Sequence, residues 1–439
     1  MPEFTDSFTV QQKLSLKISS NEMPDITTSV LFPVDYRKYA ASGVLYDMTD
    51  KINPTDSPNL YNALPEEYWD MAKINGKIYG IPFIYGLGEG YRFALTMRID
   101  ILKELGLEEP KTLEDYYNAC KKVKEVYPDM IPLVLEPTFR LDVFKAWLIP
   151  GWTPITSGMM ETEEGTIIHH TSMPEYETFL RYINSLYREG YIAADTFAFT
   201  DGSQAEELAF NNKAFAYTFC TGDSNSGFTL QTRANGTEDA LWVQSMPLTD
   251  ASYSTVGTGW SGTFITRNNK DPEKSIKLLE FLFSEEGQRL SQWGREGIEY
   301  TLDEGGIPTF SEEWIAARDD EQLFYQKYNP AYYFGISQVT EAVGRAAGTS
   351  ENASQLMDII RSRLKLSVLP ALVEPKGDSD ERMMLDQVIE HMRTQEVKIV
   401  LSNSDEEFEQ NLAEMRTTLE RIGVAALEAY MTAETANYK

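Results

Sequence analysis

The side chains best suited to grip a ring-shaped polar molecule cluster in a few segments. Trp260 lies in Gly-Thr-Gly-Trp-Ser-Gly over residues 257–262, and Trp293, Glu299 and Tyr300 lie in or beside the turn Trp-Gly-Arg-Glu-Gly-Ile-Glu-Tyr. An aromatic face can stack on the apolar face of a ring while Asp, Asn, Glu and Arg satisfy its polar rim. Tyr85, Tyr91 and Arg92 flank a glycine-rich loop at 86–90 and offer the same chemistry. So do Tyr217 and Asp223, around the end of the apolar run at 213–219, because strand ends often present ligand groups. Each has a plainer role open to it. With seven Trp, 24 Tyr and 21 Phe in the chain, most aromatics must be core or surface, and Trp260 suits packing as well as a cleft.

Catalytic constellations find little support. The three histidines, His169, His170 and His391, do not form a metal set, since neighbours in a strand point to opposite faces. A partly exposed polar strand is the simpler reading. Cys120 and Cys220 are far apart, with no local His partner for a thiol nucleophile. Neither a GxxxxGK[ST] phosphate loop nor a G-x-S-x-G elbow occurs. Acidic pairs abound, but 68 acidic residues make such pairs uninformative. No cofactor, metal or catalytic residue is expected, and the chain reads as a non-enzyme.

Bulk properties narrow the class further. A chain of 439 residues exceeds one simple core and favours two large lobes. The formal charge of −29, from 68 acidic and 39 basic residues, repels nucleic acid and anionic lipid. No apolar run reaches the ~18 residues that span a bilayer. The first 20 residues lack the basic start and unbroken apolar core of an export signal, and they contain no cysteine for a lipid anchor. Two cysteines do not define a disulfide scaffold, and whether Cys120 and Cys220 pair is left open.

The elements that must position these side chains alternate between strand and helix. The pattern predicts a helix over 7–20, a hairpin at Asn75–Gly76 within 74–86, and a helix over 97–107 closed by Gly106. Thr112 with Asp115 predicts a capping box opening the next helix, and Ile-Pro-Leu-Val-Leu at 131–135 a buried strand. Further expectations are helices over 141–148, 173–188 (with Ser172 as cap) and 202–210, and a hairpin around Glu164–Gly165. Strands are expected at 213–219, 242–250 and 259–266, helix over much of 321–366, and a terminal helix over 405–422 capped by Ser404 with Glu407. Such alternation supports α/β lobes.

Several phrases, in order, resemble extracellular solute-binding proteins of bacterial ABC transporters, in the long lipoprotein-type branch for sugars and oligosaccharides. They are KINGKIYGIP, MRIDILKELGLEEPKTLEDYY, YINSLYREGYI, DPEKSIKLLEFLFSEEG and WGREGIEY. The resemblance covers most of the chain. It departs at Ile101, where the family often has Trp, and in the absence of a visible leader or anchoring cysteine. The resemblance implies a periplasmic-binding-protein-like type II fold: two α/β lobes around a ligand cleft, with extra C-terminal helices. Lobe 1 would comprise 1–130 and 260–320, lobe 2 would comprise 131–259 and 321–439, and crossings would fall near 128–131 and 257–262. The placement of 390–439 is left open. The family's first β-strand has no counterpart before the early helix, so an N-terminally incomplete chain is expected. The implied function is capture of a carbohydrate or oligosaccharide by lobe closure and delivery to ABC permease subunits. The implied location is outside the cell, anchored to the membrane in the full-length protein. A monomer is expected. A non-carbohydrate solute, or a surface glycan-binding or glycan-active protein, remains the alternative.

Overall fold

The computed structural model describes the chain apart from residues 1–6, 30–33, 65–68, 70–71, 85–93, 138–139, 154–155, 201, 220–223, 257, 305, 307, 319–326, 329–333, 335–350, 376–378 and 439. Two compact α/β lobes emerge, one from residues 1–88 and 257–349, the other from 89–256 and 350–439. Their main sheets use, in chain order, β1 (Ile26–Ser29), β2 (Ile81–Ile84), β3 (Ala94–Arg98), β4 (Ile131–Val134), β5 (Ala214–Phe219), β6 (Trp242–Gln244) and β7 (Thr258–Ile265). The helices that matter below are α1 (Ser7–Ser20), α2 (Leu113–Val126), α3 (Asp142–Leu148), α4 (Pro174–Arg188), α5 (Gly202–Phe210) and α6 (Ser224–Ala234). They continue with α7 (Pro272–Leu282), α8 (Glu285–Gln292), α9 (Asp380–Val400), α10 (Asp405–Ile422) and α11 (Val424–Glu434).

In the first lobe, β7 is the centre of an antiparallel sheet ordered β1-β7-β2. Leu14 from α1, Tyr36, Tyr39, Leu45 and Phe264 make a buried cluster against it. Gly80 permits this packing, because a Cβ there would lie 2.5 Å from the Phe264 ring. The expected hairpin forms at Lys73–Ile78, with Asn75 and Gly76 at φ 51° and 78°, the left-handed pair that a two-residue turn of this hand requires. On α7, Asp271 accepts a hydrogen bond from the Lys274 N–H and Pro272 opens the first turn.

The second lobe carries a mixed sheet ordered β6-β3-β5-β4, with β4 and β5 parallel. The Thr112–Asp115 capping box starts α2 as the spacing predicts. Beyond the sheet, α9, α10 and α11 form the extra C-terminal helices. Asn184 on α4 donates to the carbonyls of Val400 (2.8 Å) and Ser402 (2.7 Å), so this extension is part of the lobe's core. Residues 364–366 pair in parallel with 253–255, which draws the chain after 350 into the same lobe.

Three expectations need correction. The first crossing falls between residues 88 and 89, not near 128–131. The cause is β3: it lies between β5 and β6, so residues 94–130 belong with the second sheet. The helix expected from 97 begins at Ile99, because Met97 and Arg98 complete that strand. Ser172 does not cap α4; Met173 precedes the helix, and the Ser172 hydroxyl donates to Glu428 on α11 at 2.7 Å. The second crossing, between 256 and 257, lies at the edge of the expected interval. Of the helix expected over 321–366, residues 351–363 are helical, and most of the remainder lies outside the described residues.

Candidate functional site

One edge of the second lobe's sheet has the strand arrangement that binding sites favour. The parallel strands β4 and β5 both end there, and Ala94 at the start of β3 pairs with Phe219 at the end of β5. In sequence, Tyr91 and Arg92 precede β3 and Asp223 follows β5. Those three residues, and Tyr85, lie outside the described residues. Carboxyl ends of parallel strands are where open α/β sheets receive ligands, because loops there diverge and leave a crevice.

The edge also holds a pair that sequence reasoning missed. Glu136 leaves β4 with only 5% exposure, and its backbone N–H donates to the Thr218 hydroxyl at 2.9 Å. Its carboxylate faces the start of α5, 3.5 Å from where a Cβ on Gly202 would stand. Arg140 follows with φ 20° and donates from Nη2 to the Phe199 carbonyl at 3.3 Å. Non-glycine backbone in this sparsely populated region is stored strain of the sort that collects at binding loops. The signal was readable: a buried apolar strand that ends on Glu136-Pro137 carries a charge where the chain has just left the core.

Tyr217 sits in the middle of β5 at 1% exposure, its ring centroid 5.0 Å from that of Phe228. Burial pushes its phenol well above the usual range. Its ring belongs to the apolar cluster with Trp242 under α5 and α6, so it does not supply an open stacking platform.

In the first lobe, the expected aromatic turn is a small core. Trp293 (3% exposed) and Tyr300 (4%) meet edge to face at 5.1 Å, and Phe310 packs on both. Glu299 is engaged by its neighbour: Arg295 donates from its backbone N–H at 2.6 Å and from Nε at 3.0 Å. These hydrogen bonds hold the Glu299 carboxyl below its ordinary range. Gly294 is required there, since at φ 91° a Cβ would stand 2.9 Å from the Glu299 side chain. Trp293, Glu299 and Tyr300 are thus packed and paired as parts of a folded turn, a correction to their reading as exposed ligand groups.

Trp260 differs. Its backbone lies in β7, where the register against β2 shifts between Thr258 and Gly262. A bulge of this kind re-aims side chains and is common beside binding sites. Thr258 pairs with Ile84, so β7 begins at the end of the sheet where β2 stops.

The histidines also depart from expectation. His169 and His170 are 1% and 5% exposed, with ring centroids 4.3 Å apart, because the strand ends at His169 and His170 begins a tight helical turn. Burial holds both below the ordinary imidazole pKa, and His170 lies beside Glu396 of α9, 3.6 Å away. Cys120 is buried under Tyr116, its thiol pushed up to about 12 by burial, which removes it as a nucleophile. Among the described residues no group of three or more His, Cys, Asp or Glu is placed to hold a metal ion. No helix among them is long and apolar enough to cross a membrane.

Comparison with known proteins gives a consistent picture. A family model described as bacterial extracellular solute-binding protein matches residues 3–295. Lipoprotein LipO of Bacillus subtilis is 24% identical over 410 residues, covering 87% of this chain and 76% of LipO. A carbohydrate ABC transporter substrate-binding protein of Streptococcus pneumoniae is 23% identical over 62% of this chain, which spans about half (52%) of that relative's length. The structure of the S. pneumoniae substrate-binding protein FusA in complex with kestose superposes with a TM-score of 0.68 at 19% identity, covering 98% of this chain and 90% of that one. At that identity the likeness speaks for the fold.

Proposed function

The chain belongs to the family of bacterial extracellular solute-binding proteins, a binding family and not a catalytic one, and we propose that it captures a carbohydrate or oligosaccharide for an ABC importer by closing its two lobes on the solute. The observation that carries this reading is the family match over residues 3–295. Relatives named for carbohydrate transport support the solute class. The proposed contacts are Trp260, Tyr85, Tyr91, Arg92 and Asp223, joined by Glu136 and Arg140 at the exit of β4. A net charge of −29 opposes the approach of anionic uronates and favours a neutral oligosaccharide. Delivery would be to permease subunits outside the cell, by a monomer anchored to the membrane.

Calorimetric titration with a panel comprising kestose, a malto-oligosaccharide, a manno-oligosaccharide and an oligogalacturonate tests the solute class. Saturable binding of a neutral member, with small-angle scattering showing compaction and the sugar recovered unchanged, is the expected result. Binding of oligogalacturonate alone would refute the neutral class. No binding by any member would turn the reading toward a non-carbohydrate solute, and hydrolysis that tracks the purified protein would overturn the carrier function.

A further inference from the structure

The C-terminal extension reaches α3, the helix that follows β4 in the chain, through one charged side chain. Glu396 on α9 lies 2.8 Å from the Lys145 ammonium on α3, and both side chains are 12% exposed. The Tyr176 hydroxyl donates to the other Glu396 oxygen at 3.0 Å. Lys145 is further enclosed by the rings of Trp152 at 5.6 Å and Phe179 at 5.9 Å. Asp142 on α3, His169 and His170 face the same cluster.

The other polar ties of the extension, among the described residues, go elsewhere. Asn184 and Glu177 connect it to α4, and Glu428 and Thr432 connect it to 167–172. Among the described residues, Lys145–Glu396 is the polar link that joins it to α3. That helix continues directly from the corner at 136–141: the Arg140 N–H donates to the Glu136 carbonyl at 2.7 Å, and the Lys145 N–H to the Leu141 carbonyl at 3.0 Å. Backbone hydrogen bonds thus tie Arg140 to Glu136 and the first turn of α3 to Leu141.

A buried ion pair of this sort adds little net stability over well-packed apolar side chains. What it fixes is position, because the two charges tolerate few alternative arrangements in a site closed to water. We propose that Lys145 and Glu396 are positioning residues through which the C-terminal helices hold the β4–α3 corner in the arrangement that receives solute. This rests on the carbohydrate-binding reading only for the identity of the solute; the mechanical link stands apart from it.

Hydrogen–deuterium exchange of the full chain, wild type against Glu396→Gln, tests the link without ligand. Amides of 141–149 and of α9 should exchange faster together, while those of α2 keep the wild-type rate. Faster exchange confined to α9, or spread evenly over the lobe including α2, would overturn the link. The double variant Lys145→Met with Glu396→Met separates position from stability. Its unfolding midpoint should return toward wild type, while affinity for the best-binding sugar of the panel stays on the order of 5-fold weaker. Affinity that recovers together with the midpoint would show a purely structural pair and refute the proposal. If wild type binds none of the sugars, the carbohydrate reading fails, and the exchange comparison alone decides the link.

Discussion

Two glutamates, one in each lobe, lie against a basic side chain, and the settings differ in a way that separates local from tertiary design. Glu299 pairs with Arg295 four positions earlier, in a turn where the arginine side chain is 63% exposed. Glu396 pairs with Lys145 across most of the chain, each side chain 12% exposed. In the first pair the carboxylate is only 10% exposed but its arginine partner is solvated, so the pair closes a loop and contributes about 1 kcal/mol. In the enclosed pair, removal of one partner strands a charge away from water. The same chemistry closes a turn in one lobe and fixes a helix against a helix in the other.

The largest expected effect separates a packed aromatic from a solute-facing one. Trp293→Ala should destabilise the first lobe by about 4 kcal/mol, the usual cost of emptying a buried Trp site, seen as a lowered denaturant midpoint. Panel-sugar affinity should survive under conditions where the variant is folded. Lost affinity in a folded variant would return Trp293 to the binding site and erase the contrast with Trp260.

Next comes the enclosed pair. Glu396→Gln should cost about 3 kcal/mol in the second lobe, measured by chemical denaturation. The corresponding Glu299→Gln change should cost about 1 kcal/mol at most. Equal losses would show that enclosure is not what distinguishes the two sites.

How much of this could be read from sequence follows the same division. Signals whose partners are neighbours were legible: the Thr112–Asp115 box, the Asn75–Gly76 turn and the Ser404 cap, whose hydroxyl accepts from the Glu407 N–H. The strand β3 was hidden because it ends on Arg98, a charge foreign to a buried strand that reads as the opening of a helix. Arg98 is 2% exposed, and it is tolerated because Asp100 accepts from its Nε at 2.8 Å and Asn212 takes another of its N–H groups. Without that strand, the first crossing was placed too late. In the candidate site, Trp293 and Tyr300 were conspicuous by type but burial gives them to the core, while among 68 acidic residues only its place at the end of an apolar strand marked Glu136. Lys145 and Glu396 carry no local mark at all, since their meaning comes from a long-range contact.

The pH response sharpens the comparison further. Burial pushes the Asp142 carboxyl up to about 7 from 3.8, against the opposing pull of Lys145. The folded state therefore holds this proton more tightly than the unfolded chain, and Asp142's contribution to stability falls as pH rises from about 4 to about 7. Glu396 behaves oppositely. Burial alone would raise it, but Lys145 and His170 hold it at about 2, so its contribution is complete above 4.5 and lost as pH falls toward 2. Asp142→Asn should thus gain on wild type by on the order of 2 kcal/mol between pH 5 and pH 8. Denaturation midpoints at the two pH values measure this, and parallel shifts in both proteins would remove Asp142 from the account.

The smallest effect contrasts Trp260 with Trp293 in the first lobe. Trp293 is closed in by Tyr300 and Phe310, whereas Trp260 occupies the stretch of β7 where pairing with β2 slips out of register. A register slip leaves a side chain outside the regular in–out alternation of the strand, which is how a sheet can present an aromatic at its end. Trp260→Ala should therefore weaken binding of the panel sugar by about 1 kcal/mol, roughly fivefold, through loss of one stacked face. The denaturant midpoint and far-ultraviolet signal should stay near wild type, the reverse of the Trp293→Ala pattern. Unchanged affinity with a lowered midpoint would place Trp260 in the core beside Trp293. The search for the stacking face would then turn to Tyr85 and Tyr91.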